Sequence, residues 1–136
     1  MTYQFTPLPE PGDIVWCWFP LIENVDSPGP KKRPALVVGV SDLDQAVMVA
    51  YGTSKHTYDI HPGEFVMDPE DGGFPSSGLD ERTKFDLKRR HKLYFDSEWF
   101  AAAPGVHTSS PLPKMGSMHS SYNTALNKAV RHIKSK

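Results

Sequence analysis

The chain has 136 residues, a formal net charge of −1 and 38% hydrophobic residues, which leaves room for one domain with one modest core and excludes a nucleic-acid binder that works by bulk charge. Three Trp, five Tyr and seven Phe supply enough apolar surface to offset the entropy of ordering the backbone, which excludes disorder. One cysteine, Cys17, excludes an internal disulfide; with no apolar stretch near about 20 residues and no basic-then-apolar leader, the expected place is the cytoplasm, with no membrane span.

After Pro9, Pro11 and Gly12, residues 13–19 alternate Val15, Cys17 and Phe19 with Trp16 and Trp18, the period-two pattern of a strand that buries Cys17. Residues 20–32 hold Pro20, Pro28, Gly29 and Pro30 among polar side chains and read as an exposed loop. The apolar run Ala35 to Val40 predicts a buried strand, and Ser41, Asp42 and Asp44 turn it into a partner over Ala46 to Tyr51. Three further strands are expected over Glu64–Met67, Thr83–Leu87 and Lys92–Phe95. Six short strands with brief connections predict a mainly β fold, a small antiparallel barrel.

The end of the chain changes character. Pro104, Gly105, Pro111, Pro113 and Gly116 mark a linker, and from Ser120 onward Tyr122, Leu126, Val130 and Ile133 form one apolar stripe at helical spacing. The expected organisation is a barrel over residues 1–103, a Pro/Gly-rich linker over 104–119 and a C-terminal helix over 120–136 packed on the barrel. Three basic clusters, Lys31 to Arg33, Lys88 to Lys92 and Lys128 to Lys136, read as solvated faces, as do the acids Asp68, Glu70, Asp71, Asp80 and Glu81. One Cys, and six His without a His-Glu-x-x-His pattern, predict no metal site and no cofactor.

The order Pro11-Gly-Asp-Ile-Val-Trp16, a polar loop, then Lys32-Arg-Pro-Ala-Leu-Val-Val38, with Val47 to Ser54 next, resembles the opening of MazF/PemK toxins, a family with a Kid/CcdB-like barrel. The resemblance covers about residues 10–100. It implies an SH3-like barrel, a homodimer, a cognate antitoxin partner, and endoribonuclease activity on single-stranded RNA without a metal.

Metal-free RNA cleavage uses the substrate's own 2′-hydroxyl as nucleophile. The protein must take that proton, stabilise charge on the phosphoryl group and protonate the departing 5′-oxygen. Arg33, at the position of the family's catalytic Arg, is permanently cationic and its planar fork matches phosphate oxygens. The Thr53 hydroxyl, at a strand end, suits a bond to a phosphate oxygen or the capping of a turn. For the base, the loop offers Glu23 and Asp26, with His56 and His61 just beyond Thr53. RNA contacts are expected from Lys31, Lys32, Trp18, Ser54, Lys55, His56 and Arg82, with Trp18 and Phe19 as stacking platforms or as core. The loop ahead of Lys31, with its Pro-Gly-Pro, carries no obvious base, which keeps open a non-catalytic barrel that binds protein or nucleic acid. A third reading is an accessory protein that contacts nucleic acid through the basic terminal helix.

Overall fold

The structure, a computed structural model, describes residues 2–104 and 112–134. Six strands, β1 (Asp13–Cys17), β2 (Arg33–Ser41), β3 (Ala46–Thr53), β4 (Glu64–Met67), β5 (Thr83–Tyr94) and β6 (Lys114–Ser117), precede one helix, α1 (Asn123–Lys134). All strand pairs are antiparallel, in the order β4-β5-β3-β2-β1-β6. The sheet curls into a half-barrel with β4 and β6 at its ends, and the short 3-10 helix Phe74–Ser77 packs against β6. No helix among the described residues is long and apolar enough to cross a membrane.

Both faces of the central strands are buried, which is why β2 reads as an unbroken apolar run rather than an alternation. On one face Val15, Cys17, Val37, Val47 and Val49 meet Phe5, Phe95 and Phe100. On the other, Ile14, Leu36, Ala50, Phe65 and Phe85 meet Tyr122 and Ala129 of the C-terminal segment, with Leu126, Val130 and Ile133 packed alongside. The helical stripe read from the sequence is therefore the face that α1 lays on the sheet. The Tyr122 hydroxyl also donates to Asp71 Oδ2 at 2.8 Å, tying the start of the helix to the loop after β4.

The Pro-Gly-Asp entry into β1 has a structural cause. Gly12 takes a φ of 95°, a left-handed conformation that favours glycine. Asp13 is buried, accepts Glu10 N–H at 2.9 Å and the Ser117 hydroxyl at 2.9 Å, and so joins the turn to β6.

Two strand expectations change. The spans Thr83–Leu87 and Lys92–Phe95 merge into one strand, β5, which stops at Tyr94, because only residues 87–89 leave the ladder and Arg90 and His91 rejoin it opposite Ala50 and Val49. Lys114–Ser117 forms β6 inside the 104–119 stretch expected as linker. Its Lys-Met-Gly-Ser sequence carries no alternation; backbone pairing with β1, Asp13 opposite Ser117 and Ile14 opposite Gly116, fixes it instead. Residues 105–111, with Gly105 and Pro111, lie outside the described residues.

Candidate active site

β2 begins and β3 ends at the same end of their hairpin, and there the antiparallel register collects the candidate residues. The last β2–β3 pair at this end is Ala35 with Tyr51. Arg33 and Thr53 each extend two residues further, held from outside by β1 and β5, where Cys17 faces Arg33 and Lys84 faces Thr53. Both side chains line one groove of about 520 Å³, along with Trp16, Lys31, Lys32, Ser54, Asp80 and Glu81. Three positive side chains, Lys31, Lys32 and Arg33, against two carboxylates, Asp80 and Glu81, leave the lining of this groove with a surplus of positive charge.

Thr53 is buried, and its hydroxyl oxygen accepts Lys55 N–H at 3.1 Å. That bond uses a lone pair and leaves the hydroxyl hydrogen free to donate, so turn capping and phosphate binding are compatible in this one side chain. Arg33 is half-buried, with its guanidinium carbon 5.4 Å from the centroid of the Tyr51 ring. The aromatic face orients the fork without neutralising it.

Arg33 also lines a second cavity, of about 200 Å³, with Glu23, Lys31, Tyr51 and Arg89. A third, of about 290 Å³, holds Thr53, Lys55, His56, Lys84 and Asp86, again with Tyr51 and Arg89. The three spaces share lining residues and so lie side by side around the end of the hairpin, as one composite trough of candidate residues. Of the two loop acids, Glu23 lines it; Asp26 is exposed and lines none of the three. His56 enters with a left-handed φ of 54°, whereas His61 is exposed beside Asp59, at 3.4 Å.

Among the aromatic platforms, Phe19 is buried in the core, edge-on to Tyr51 at 5.2 Å between ring centroids, and offers no open face. Trp18 is half-buried with the Lys32 ammonium 5.4 Å above its ring. Arg82 stands apart from the trough: it pairs with Asp68 at 2.7 Å, donates to the Thr57 carbonyl at 3.0 Å and stacks on Tyr58 at 3.9 Å. Burial pushes the Cys17 thiol pKa upward, which removes it as a nucleophile. Among the described residues no group of three His, Cys, Asp or Glu side chains could hold a metal ion.

Tyr51, Lys84, Asp86 and Arg89 are trough residues that the sequence reading did not single out. Tyr51 sits in a strand whose pattern says only β, and Arg89 in a charged run that reads as a solvated face. The one signal available was that Lys88 to Lys92 interrupts two apolar stretches of suitable length for a single strand.

Residues 10–91 match the family model described as PemK-like, MazF-like toxin of type II toxin-antitoxin system. Among solved structures the chain is similar to an endoribonuclease in complex with its cognate antitoxin from a mycobacterial species, with a TM-score of 0.56 over 93% of this chain and 95% of the other. The two are 14% identical, so the likeness is one of fold. No curated protein sequence matches the chain.

Proposed function

Because the chain belongs to the PemK/MazF-like toxin family of type II toxin-antitoxin systems, we propose that it is the toxin of such a pair and a metal-independent endoribonuclease that cuts single-stranded RNA at short sequence motifs. The observation that carries this reading is the meeting of Arg33 and Thr53 in one groove rimmed by Lys31 and Lys32.

In the proposed reaction the substrate's 2′-oxygen attacks the adjacent phosphorus and the bond to the 5′-oxygen breaks. A 2′,3′-cyclic phosphate and a 5′-hydroxyl end result. Arg33 neutralises the charge that builds on the non-bridging oxygens, the step at which a preorganised cation contributes most. Thr53 donates its hydroxyl hydrogen to one of those oxygens and holds the group against Arg33. Glu23, which shares a cavity with Arg33, takes the 2′-proton, and His56, which shares one with Thr53, returns a proton to the leaving oxygen. Lys31, Lys32, Ser54 and Lys55 contact the strand on either side, and Trp18 offers a half-open ring for a splayed base.

The cognate antitoxin is proposed to be an acidic segment that orders across this face. Leu21, Ile22 and Val25 are exposed in the loop beside the basic rim, which gives such a segment apolar anchors within a cationic surround. The protein is proposed to act in the cytoplasm as a homodimer.

A second reading, a non-catalytic barrel that binds protein or nucleic acid, is favoured by one observation: Asp26 lines none of the trough, so a single loop carboxylate is left as base. One experiment separates the two. Purified protein and its Arg33→Ala variant are incubated with several long single-stranded RNAs in EDTA and the ends are mapped. Discrete cuts by the wild type alone support the ribonuclease; intact RNA in every case overturns it in favour of the binding module.

A further inference from the structure

Arg89 owes its position to a bulge. Along β5, Arg90 pairs with Ala50, yet the next residue of β3, Tyr51, pairs with Asp86, so residues 87–89 leave the ladder. The Leu87 N–H is satisfied by the Gly63 carbonyl at 2.9 Å, which holds the bulge open. Arg89 is thereby carried over the end of β3, with its guanidinium carbon 3.9 Å from the Tyr51 ring centroid and 5.4 Å from that of Phe19.

Arg33 approaches the same Tyr51 ring at 5.4 Å. Two permanent cations thus share one aromatic ring, and Glu23 is the single carboxylate lining the cavity that contains them both. Such an arrangement concentrates positive potential where no ion pair absorbs it.

The hydrogen bonding of Arg89 sets it apart from a structural arginine. Its Nη2 donates to the Pro20 carbonyl at 3.0 Å, and its Nε is buried with no hydrogen-bond partner. Arg82 also has an unpartnered buried Nε, but its charge is met by Asp68. Among the described residues no carboxylate pairs with Arg89: of the two that line its other cavity, Glu64 pairs with Lys84 and Asp86 accepts Lys88 N–H at 2.9 Å. Because the Nε is shut off from solvent, the donors that can meet an anion from outside the protein are those of the two Nη groups, of which the Pro20 carbonyl takes one hydrogen.

We propose that Arg89, stacked on Tyr51, is a second substrate-anchoring residue that binds the RNA phosphodiester next to the one held by Arg33. The inference rests on the ribonuclease reading and adds to it a second phosphate subsite, which fixes the path of the strand past Tyr51. The backbone bond to Pro20 also ties this subsite to the loop that carries Glu23, so strand binding and the base are positioned by one side chain.

The test uses a 2′-fluoro RNA, which has no nucleophile and is bound without being cut, together with the unmodified RNA for cleavage. Wild type, Arg89→Ala and Arg89→Lys are compared over a range of salt concentrations. Arg89→Ala is expected to weaken binding roughly 10- to 100-fold, to lower the slope of log affinity against log salt by about 0.7, the single-strand value for one phosphate contact, and to raise KM more than it lowers kcat. Arg89→Lys restores the salt slope, because it restores the charge. Should Arg89→Ala fail to fold, Arg89→Gln is compared with Arg89→Lys for the same slope. A wild type that cuts RNA, with a slope unchanged by loss of the charge, overturns the subsite and leaves the ribonuclease standing. A wild type that neither binds nor cuts overturns both.

Discussion

Cys17 and Lys84 hold Arg33 and Thr53 from opposite sides: β1 pairs Cys17 with Arg33 while β5 pairs Lys84 with Thr53. The two candidate catalytic residues extend past the last β2–β3 pair, Ala35 with Tyr51, but neither hangs from a free loop end. Backbone anchored on the outer side and open on the inner side is a geometry that holds two side chains still while leaving space between them for a phosphoryl group.

This arrangement separates activity from stability. Arg33→Ala removes a half-buried side chain from the groove rather than from the core, so unfolding free energy should change by less than about 1 kcal/mol. Cleavage should fall by about 10²- to 10³-fold, the usual loss when one preorganised group facing the transition-state charge is removed. Thr53→Val, which loses the hydroxyl and the cap on Lys55, should fall less, by about 10-fold. Initial cleavage rates beside urea denaturation curves check both; loss of activity that tracks loss of fold would remove Arg33 from the mechanism.

Gly52, next to Thr53 in β3, is tightly enclosed by Pro34, the neighbour of Arg33, and by Phe85. A Cβ there would run into the Pro34 carbonyl oxygen and stand 2.8 Å from Phe85 Cε1. Neither neighbour is the free end of a flexible chain. Gly52→Ala should therefore cost about 1–3 kcal/mol by overpacking, and should lower cleavage as well, because relief requires β3 and the Arg33-bearing end of β2 to move apart. Urea denaturation and the RNA assay, run on the same preparation, read the two effects.

The sequence and the structure agree wherever side-chain pattern alone decides the backbone. The apolar run from Ala35, the alternation from Asp13 and the stripe from Tyr122 to Ile133 each follow from burial of one or two faces, whereas the Arg33 and Thr53 ends of β2 and β3 lie two residues beyond the apolar runs and are fixed by pairing with β1 and β5. Pattern is silent where backbone pairing decides. Lys114–Ser117 becomes a strand because β1 has an open edge and Asp13 takes the Ser117 hydroxyl, neither of which its own residues express. Lys88 to Lys92 reads as an interruption, yet only residues 87–89 bulge and Arg90 to Lys92 pair in the ladder with β3. Arg89 was hidden for that reason: its position depends on a register shift, and a register shift has no signature in one sequence.

Protonation should weaken the fold in two separate steps. Burial, and then the neighbouring Arg89 charge, hold the His91 pKa below its ordinary 6.5. The unfolded chain thus binds more protons than the native one, so the contribution of neutral His91 is complete above 6.5 and is lost as pH falls through the depressed folded value. The Glu70 N–H and then Arg82 hold the Asp68 carboxyl below its ordinary 3.8, and the same sign applies: its contribution is present above 3.8 and disappears as pH falls through the lower folded value. The urea midpoint should first decline below about pH 6.5 and decline again in strong acid. His91→Gln should flatten the first step, and Asp68→Asn should shrink the second.

Lys84 is the least expected residue of the trough, a lysine only 8% exposed at the side chain and paired at 3.3 Å with Glu64, itself 11% exposed. Its ammonium also donates to the Asp59 carbonyl at 2.9 Å, and Glu64 Oε1 accepts His61 N–H at 2.7 Å. The pair therefore pins the loop after Thr53 to the edge of the sheet from two points. Breaking it from one side strands a buried charge: Lys84→Met should cost about 3 kcal/mol, whereas Lys84→Met with Glu64→Gln should regain most of that loss, because no uncompensated ion remains. If the pair acts on cleavage only through this loop, activity should fall in the single variant and recover in the double. Stability that recovers without activity would instead make the Lys84 charge itself part of the strand-binding surface, since Lys84 and Thr53 line the same cavity.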